Sequence, residues 1–237
     1  ITGALLGDQR QNQPAPRALN FGVATAALVY DTSIFGGVSP VLGQSYRFQA
    51  GLNAGSIDFS TVLLDYRKYL SLARPVSLAG RLLHFGRYGS GADDPRLQPL
   101  FLGYPSIVRG YEFNSFSTSE CGAQFQATGA CPAFDRLLGS KIASGSLEAR
   151  FELLGPLGIL RTPQIPPVEL APFFDTGVAW TALDKPDFLG GNRRLISSEG
   201  LTLRVNALGF AVVAIDYAIP NNRTRSHIWE FTFLPGY

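Results

Sequence analysis

The chain has 237 residues, with 20 Lys plus Arg against 18 Asp plus Glu, 46% hydrophobic and 12% aromatic residues, and only 16% charged residues, below the roughly 25% of an ordinary soluble domain. Disordered chains are charge-rich and aromatic-poor, so this composition excludes one, and a net charge of +2 gives no support to nucleic-acid binding. Two cysteines exclude a disulfide-framework miniprotein. The best apolar run, Val205 to Ile215, is interrupted by Asn206 and Gly209, short of the about 18 residues of a membrane-crossing helix.

Residues 1–19 carry no recognisable pattern, and the start at Ile1 reads as a mature protein or a fragment. Alternation with a period of two follows, which is the signature of strands rather than helices. Phe21 to Asp31 is the first such segment. In Ser45 to Ala54, Tyr46, Phe48, Ala50, Leu52 and Ala54 share one parity, and Ser45, Arg47, Gln49, Gly51 and Asn53 the other. Asp58 to Leu70 and Val76 to Arg87 come next. Residues 90–143 break the rhythm, yet they are too apolar for a disordered loop, with Leu97, Leu100, Phe101, Leu102, Tyr104, Ile107, Val108, Tyr111 and Phe113 in the first half. This loop is expected to fold back and pack, with the lumen of a barrel as its place. Ser146 to Leu153 then alternates strictly, followed by Val168 to Trp180, Leu201 to Ala207, Phe210 to Ile219 and an aromatic end, Trp229, Phe231 and Phe233. Turn residues such as Phe35-Gly36-Gly37, Ala73-Arg74-Pro75 and Pro220-Asn221-Asn222 separate the segments.

Nine segments of roughly ten residues fit two all-β architectures. A soluble sandwich buries its apolar faces, whereas a transmembrane barrel turns them to lipid and points polar side chains into the lumen. Segment length favours the barrel. So do aromatics near strand ends (Tyr30, Tyr66, Tyr69, Trp180, Tyr217, Trp229), read as interfacial girdles. Charges also keep to one parity, as in Arg47, Glu148, Arg150, Glu152 and Arg204.

Ile107-Val108-Arg109-Gly110-Tyr111 resembles the Val-Arg-Gly-Phe/Tyr motif of the bacterial surface antigen superfamily of BamA, TamA and FhaC. Ser146-Leu147-Glu148-Ala149-Arg150-Phe151 is similar to the strand after that motif. Phe173-Phe174-Asp175-Thr176-Gly177-Val178-Ala179-Trp180 is similar to the next strand's Phe-Asp-x-Gly-x-x-Trp signature. The ordered set spans about residues 97 to 237. The resemblance implies an antiparallel outer-membrane β-barrel of sixteen strands, of which this chain offers about nine as its C-terminal part. Residues 1–19 then have no assigned role, and residues 20–237 form the barrel, with strands over 20–90, the motif loop over 90–143 and strands over 144–237.

The resemblance further implies that Arg109, in the loop Val108, Arg109, Gly110 and Tyr111, pairs in the lumen with Glu148 and Asp175, which the alternation places on the polar faces of two strands. Such a cluster locks the loop, as a pure stabiliser or as a gate. Cys121 and Cys131 flank nine residues of the loop, and an oxidising location favours a disulfide over free thiols. Trp229, Phe231, Phe233 and Tyr237 share a parity and look like a C-terminal assembly signal, or simply face lipid. His84 and His227 lack ligand spacing, so neither metal nor cofactor is expected. No nucleophile elbow, phosphate loop or zincin motif suggests an enzyme. Asn222-Arg223-Thr224 matches a glycosylation acceptor, read as irrelevant in a bacterial periplasmic turn. The implied function is protein insertion or translocation at the outer membrane of a Gram-negative-type bacterium, with lipid, client polypeptides and periplasmic repeats or other subunits as partners, and no nucleic acid. A membrane anchor for a separate soluble domain and a passive pore are the alternatives.

Overall fold

The computed structural model describes residues 18–122, 125, 129–160, 165–207, 209 and 211–235. Twelve strands follow in chain order: β1 (Phe21–Asp31), β2 (Ile34–Phe35), β3 (Pro40–Gly55), β4 (Phe59–Ala73), β5 (Val76–Tyr88), β6 (Leu100–Phe101), β7 (Leu138–Gly139), β8 (Lys141–Leu154), β9 (Val168–Trp180), β10 (Ile196–Ala207), β11 (Ala211–Pro220) and β12 (Ile228–Pro235). The nine long strands form one antiparallel sheet, β1-β3-β4-β5-β8-β9-β10-β11-β12, with β2 added beside β3. β1 and β12 end this order, and among the described residues they do not pair with each other, so the sheet is not a closed ring. β6 and β7 form a separate small ladder inside the loop between β5 and β8.

β3 has 16 residues and β4 15, more than the about 9–11 that a tilted strand needs to cross a bilayer, whereas β11 has 10 and β12 8. Register keeps one parity on each face through the middle of the sheet, with shifts between the long strands only near the turn end, at Ser71/Ala73 and Glu152/Leu154. Arg47 opposes Asp65, Arg81 opposes Ser146, Ser146 opposes Asp175, Thr202 opposes Asp216 and Asp216 opposes Glu230. A one-residue slip anywhere would turn this polar set outward. The opposite face is apolar and bare: Leu52 is 67% exposed, Phe231 66% and Phe233 75%, as a surface covered by lipid requires.

Aromatic rings mark both rims of that outer face. Tyr30 stacks on Tyr46 at 5.1 Å near one rim, and Tyr217 meets Trp229 edge-on at 5.0 Å near the other. Tyr69 departs from the girdle expected for it: it is buried, on the polar parity, with the Arg150 guanidinium 5.6 Å from its ring. His84 holds a structural place, with Nδ1 2.9 Å from the Ile142 carbonyl and Nε2 2.6 Å from the Tyr88 hydroxyl.

The connections divide by end. At one end lie the β3–β4, β5–β8, β9–β10 and β11–β12 connections, and at the other the β1–β3, β4–β5, β8–β9 and β10–β11 connections. The first is called here the loop end, the second the turn end. The turn at Asn222-Arg223-Thr224 lies at the loop end with the motif loop, not at the opposite end where the short turns expected of a periplasmic face lie.

Candidate functional site: the docked motif loop

The described residues of the connection between β5 and β8 are folded onto the sheet. The apolar ones among them do what such residues do when chain length allows, and pack on the nearest apolar surface. Leu102, Val108, Tyr111 and Leu137 are fully buried and cluster with Ile142 of β8, Ala179 of β9 and Ile196 of β10. Phe101 meets Phe134 at 5.5 Å, and Phe116 meets Phe134 edge-on at 5.4 Å. The loop therefore lies across the lumen face of the C-terminal strands. Gly177 of β9 makes this possible: a Cβ there would come within 3.0 Å of the Leu102 and Val108 side chains and of the Ala143 carbonyl.

At the tip of the packed segment Arg109 points into the polar lumen face and is 6% exposed. Its Nε and Nη2 donate to the two oxygens of Asp175 at 2.7 and 2.8 Å, a bidentate pair. Nη1 donates to Glu148 at 2.8 Å and to the Thr202 hydroxyl at 2.9 Å, and Nη2 reaches the Ser146 hydroxyl at 3.4 Å. All five guanidinium N–H groups are thus used. Asp216 lies 3.7 Å from Nη1, and the Phe173 ring sits beneath the guanidinium at 3.6 Å. The Arg109 backbone N–H also donates to Asp175 at 3.2 Å.

The acids are shared further. Glu148 accepts from Arg204 at 2.7 Å and from Arg150 at 2.8 Å, and Arg204 also donates to Glu169 at 2.8 Å. Thr202, which receives Arg109, donates in turn to Asp216. Arg109, Glu148 and Asp175, singled out from sequence, are therefore brought together, while Arg204, Arg150, Thr202, Asp216 and Glu169 complete the network. Arg150 and Arg204 lie on the polar parity visible in the sequence, but only the register reveals that they share Glu148.

Gly110 and Tyr111 fix the loop beyond the arginine. Gly110 adopts φ +86°, a left-handed conformation that costs glycine little. Its N–H donates to Glu230 of the last strand at 2.9 Å. The Tyr111 hydroxyl donates to the Ser197 carbonyl at 2.9 Å.

A second arginine, missed in the sequence, holds the outer part of the loop. Arg223 in the β11–β12 connection has no exposed side-chain surface. It grips both oxygens of Glu120 at 2.9 and 2.8 Å, the Gly110 carbonyl at 2.9 Å, and the hydroxyl and carbonyl of Ser115 at 2.8 Å. The Phe116 ring lies 3.7 Å from the guanidinium. With Arg223 so close, the Glu120 carboxyl is held below its ordinary value of 4.5, chiefly by that hydrogen bond. Next to Glu120, Cys121 and Cys131 form a disulfide with Cα atoms 4.3 Å apart. An arginine in a turn has no periodicity to place it, so nothing in the sequence pointed to this second hub.

Trp229, Phe231 and Phe233 project from the outer face of β12 and are exposed; Tyr237 lies outside the described residues. Among the described residues no His, Cys, Asp and Glu group has metal-site geometry.

Residues 29–236 match the family model described as the Omp85 superfamily domain. A search of curated proteins gives no match.

Proposed function

The chain belongs to the Omp85 superfamily, whose general role is protein insertion and translocation at the outer membrane of Gram-negative bacteria, and we propose that this chain is the part of such a barrel that sets the state of its lumen while client polypeptides are inserted or translocated. The reading rests on one observation: a loop is held inside the lumen by a buried guanidinium that spends all five donors on three strands and their acids. An unpaired buried charge is costly, so the loop leaves this site only if the cluster comes apart as a unit. The loop end faces outward, since outer-membrane barrels carry their longer connections on the extracellular side.

The mechanism is physical and non-enzymatic. Among the described residues β12 pairs on one side, with β11, and a terminal strand of this kind can template a client strand. Glu230 lies on that same strand and holds Gly110, so the motif loop is tied to the edge at which a client would pair. A loop docked on the lumen face of β8 to β12 also argues against a passive, constantly open pore. Arg109→Ala in the full-length protein tests the reading: client assembly at the outer membrane is expected to fall, with barrel protein still present in the membrane. Client assembly at the wild-type level would overturn it.

A further inference from the structure

The turn end carries a second cover. Residues 36–39, between β2 and β3, do not project away from the sheet. Val38 is 2% exposed and Ser39 6%. Their partners lie far along the strand order, with β4 and β5 intervening. The Gly37 N–H donates to Glu152 of β8 at 3.2 Å, and its carbonyl accepts from the Asn206 amide of β10 at 2.9 Å. The Ser39 hydroxyl donates to Glu169 of β9 and accepts from Arg150 of β8 at 3.2 Å, while Arg150 also donates to the Pro40 carbonyl at 3.0 Å. A turn that starts beside β3 and is held by β8, β9 and β10 spans the polar face of the sheet at its turn end.

This turn shares its anchors with the motif loop. Arg109 of the loop reaches Glu148, and the other oxygen of Glu148 takes Arg150, which holds Ser39. A parallel route runs from Glu148 through Arg204 to Glu169 and again to Ser39. Arg109, Glu148, Arg150 and Arg204 also line one cavity of about 450 Å³. Gly37 sets the approach: a Cβ there would come 2.7 Å from Glu152, 2.9 Å from the Pro167 ring and 3.0 Å from the Pro156 ring. The carboxylate can swing away, but the proline rings cannot.

We propose that residues 36–39 form a second seal of the lumen, in series with the motif loop and coupled to it through Glu148. The two seals lie toward opposite ends of the lumen face, so withdrawal of the motif loop by itself leaves the turn-end contacts in place. The seal depends on the turn's own contacts, whichever client the barrel serves.

Single-channel conductance of the full-length protein in planar bilayers tests this, with folding followed by heat-modifiable gel mobility. The Gly37→Val, Arg109→Ala double variant is expected to conduct at least about tenfold more than Arg109→Ala alone, because a constriction in series limits the whole path. Equal conductance of the double and single variants would overturn the second seal. A second measurement keeps the test open if Arg109→Ala does not fold. In otherwise native protein in detergent, Ser39→Cys is expected to react slowly with a membrane-impermeant maleimide, and Gly37→Val to raise that rate at least about tenfold by exposing the buried site. Rapid labelling of Ser39→Cys without Gly37→Val would overturn the proposal. Coupling through Glu148 predicts that Glu148→Gln also accelerates labelling at position 39. No acceleration in the folded Glu148→Gln protein would overturn the coupling.

Discussion

Strands β1 to β5 and strands β8 to β12 are built from the same alternating pattern, yet they end in different environments. Every residue of β1 is exposed, whereas β11 alternates strictly between half-buried and buried positions. Two things differ: β1 ends the strand order with β3 as its one neighbour, and the motif loop covers the lumen face of β8 to β11 and reaches β12 through Glu230, leaving most of the other half open. Arg47 in the open half is exposed and bonds only along its own strand, to Gln49 at 3.1 and 2.7 Å. Arg109 in the covered half is buried among three strands. The same residue type is thus a solvated lining group in one half and a structural hub in the other, because only the second is removed from water.

This contrast can be broken experimentally, most forcefully at the hub. Arg109→Ala leaves Asp175 buried without its guanidinium partner and takes from Glu148 one of its three arginines, and is expected to cost about 3–5 kcal/mol. Hydrogen exchange should then speed up through the loop and β8 to β10 while β1 to β4 keep their rates; uniform acceleration would mean that the halves are not energetically distinct. Replacing both cysteines with serine removes the restraint on a short loop and is expected to cost about 2–3 kcal/mol in the chain-entropy model, read as a lower denaturant midpoint in detergent and confined to the loop. Glu230→Ala orphans the Gly110 N–H at an expected cost of about 1–2 kcal/mol, whereas Glu230→Gln keeps an acceptor and should cost less. If the two variants have equal stability, the Gly110 contact contributes nothing.

A titration separates the outer part of the covered half. Glu120 has its carboxyl lowered by Arg223, so its contribution is present in full above the ordinary carboxylate value and is lost as pH falls through the lowered one. Acidification should therefore loosen the outer loop in wild type, seen as lower amide protection around Ser115 relative to the intrinsic exchange rate at each pH, and have less effect in Glu120→Gln. The smallest effect is expected in the open half, where Arg47→Ala should change stability by no more than about 0.5 kcal/mol. A larger change there would show that the open lumen face carries more order than its exposure implies.

The legible part of this protein is what a period of two can encode. Alternation located the nine long strands and their polar faces, and the segments were underestimated mainly at their ends, where β3 and β8 run on past the alternating stretch. Parity also placed Glu148 and Asp175 on the lumen side, and the motif supplied Arg109. Tyr69 was misassigned because its position near a strand end suggested a girdle, while its parity put it under Arg150.

What alternation cannot encode is which distant backbone comes to rest on a face. Arg223 and Glu120 meet across 103 residues, and Ser39 and Glu169 across 130; neither pair lies on a common strand or a paired register. Local chain geometry determined that this sequence forms strands with one apolar and one polar face. Only the tertiary structure decided which polar groups would lose their water, and hence which of them had to find one another. A charge buried by a loop from elsewhere in the chain has its partners set by that loop's path rather than by its own neighbours in sequence.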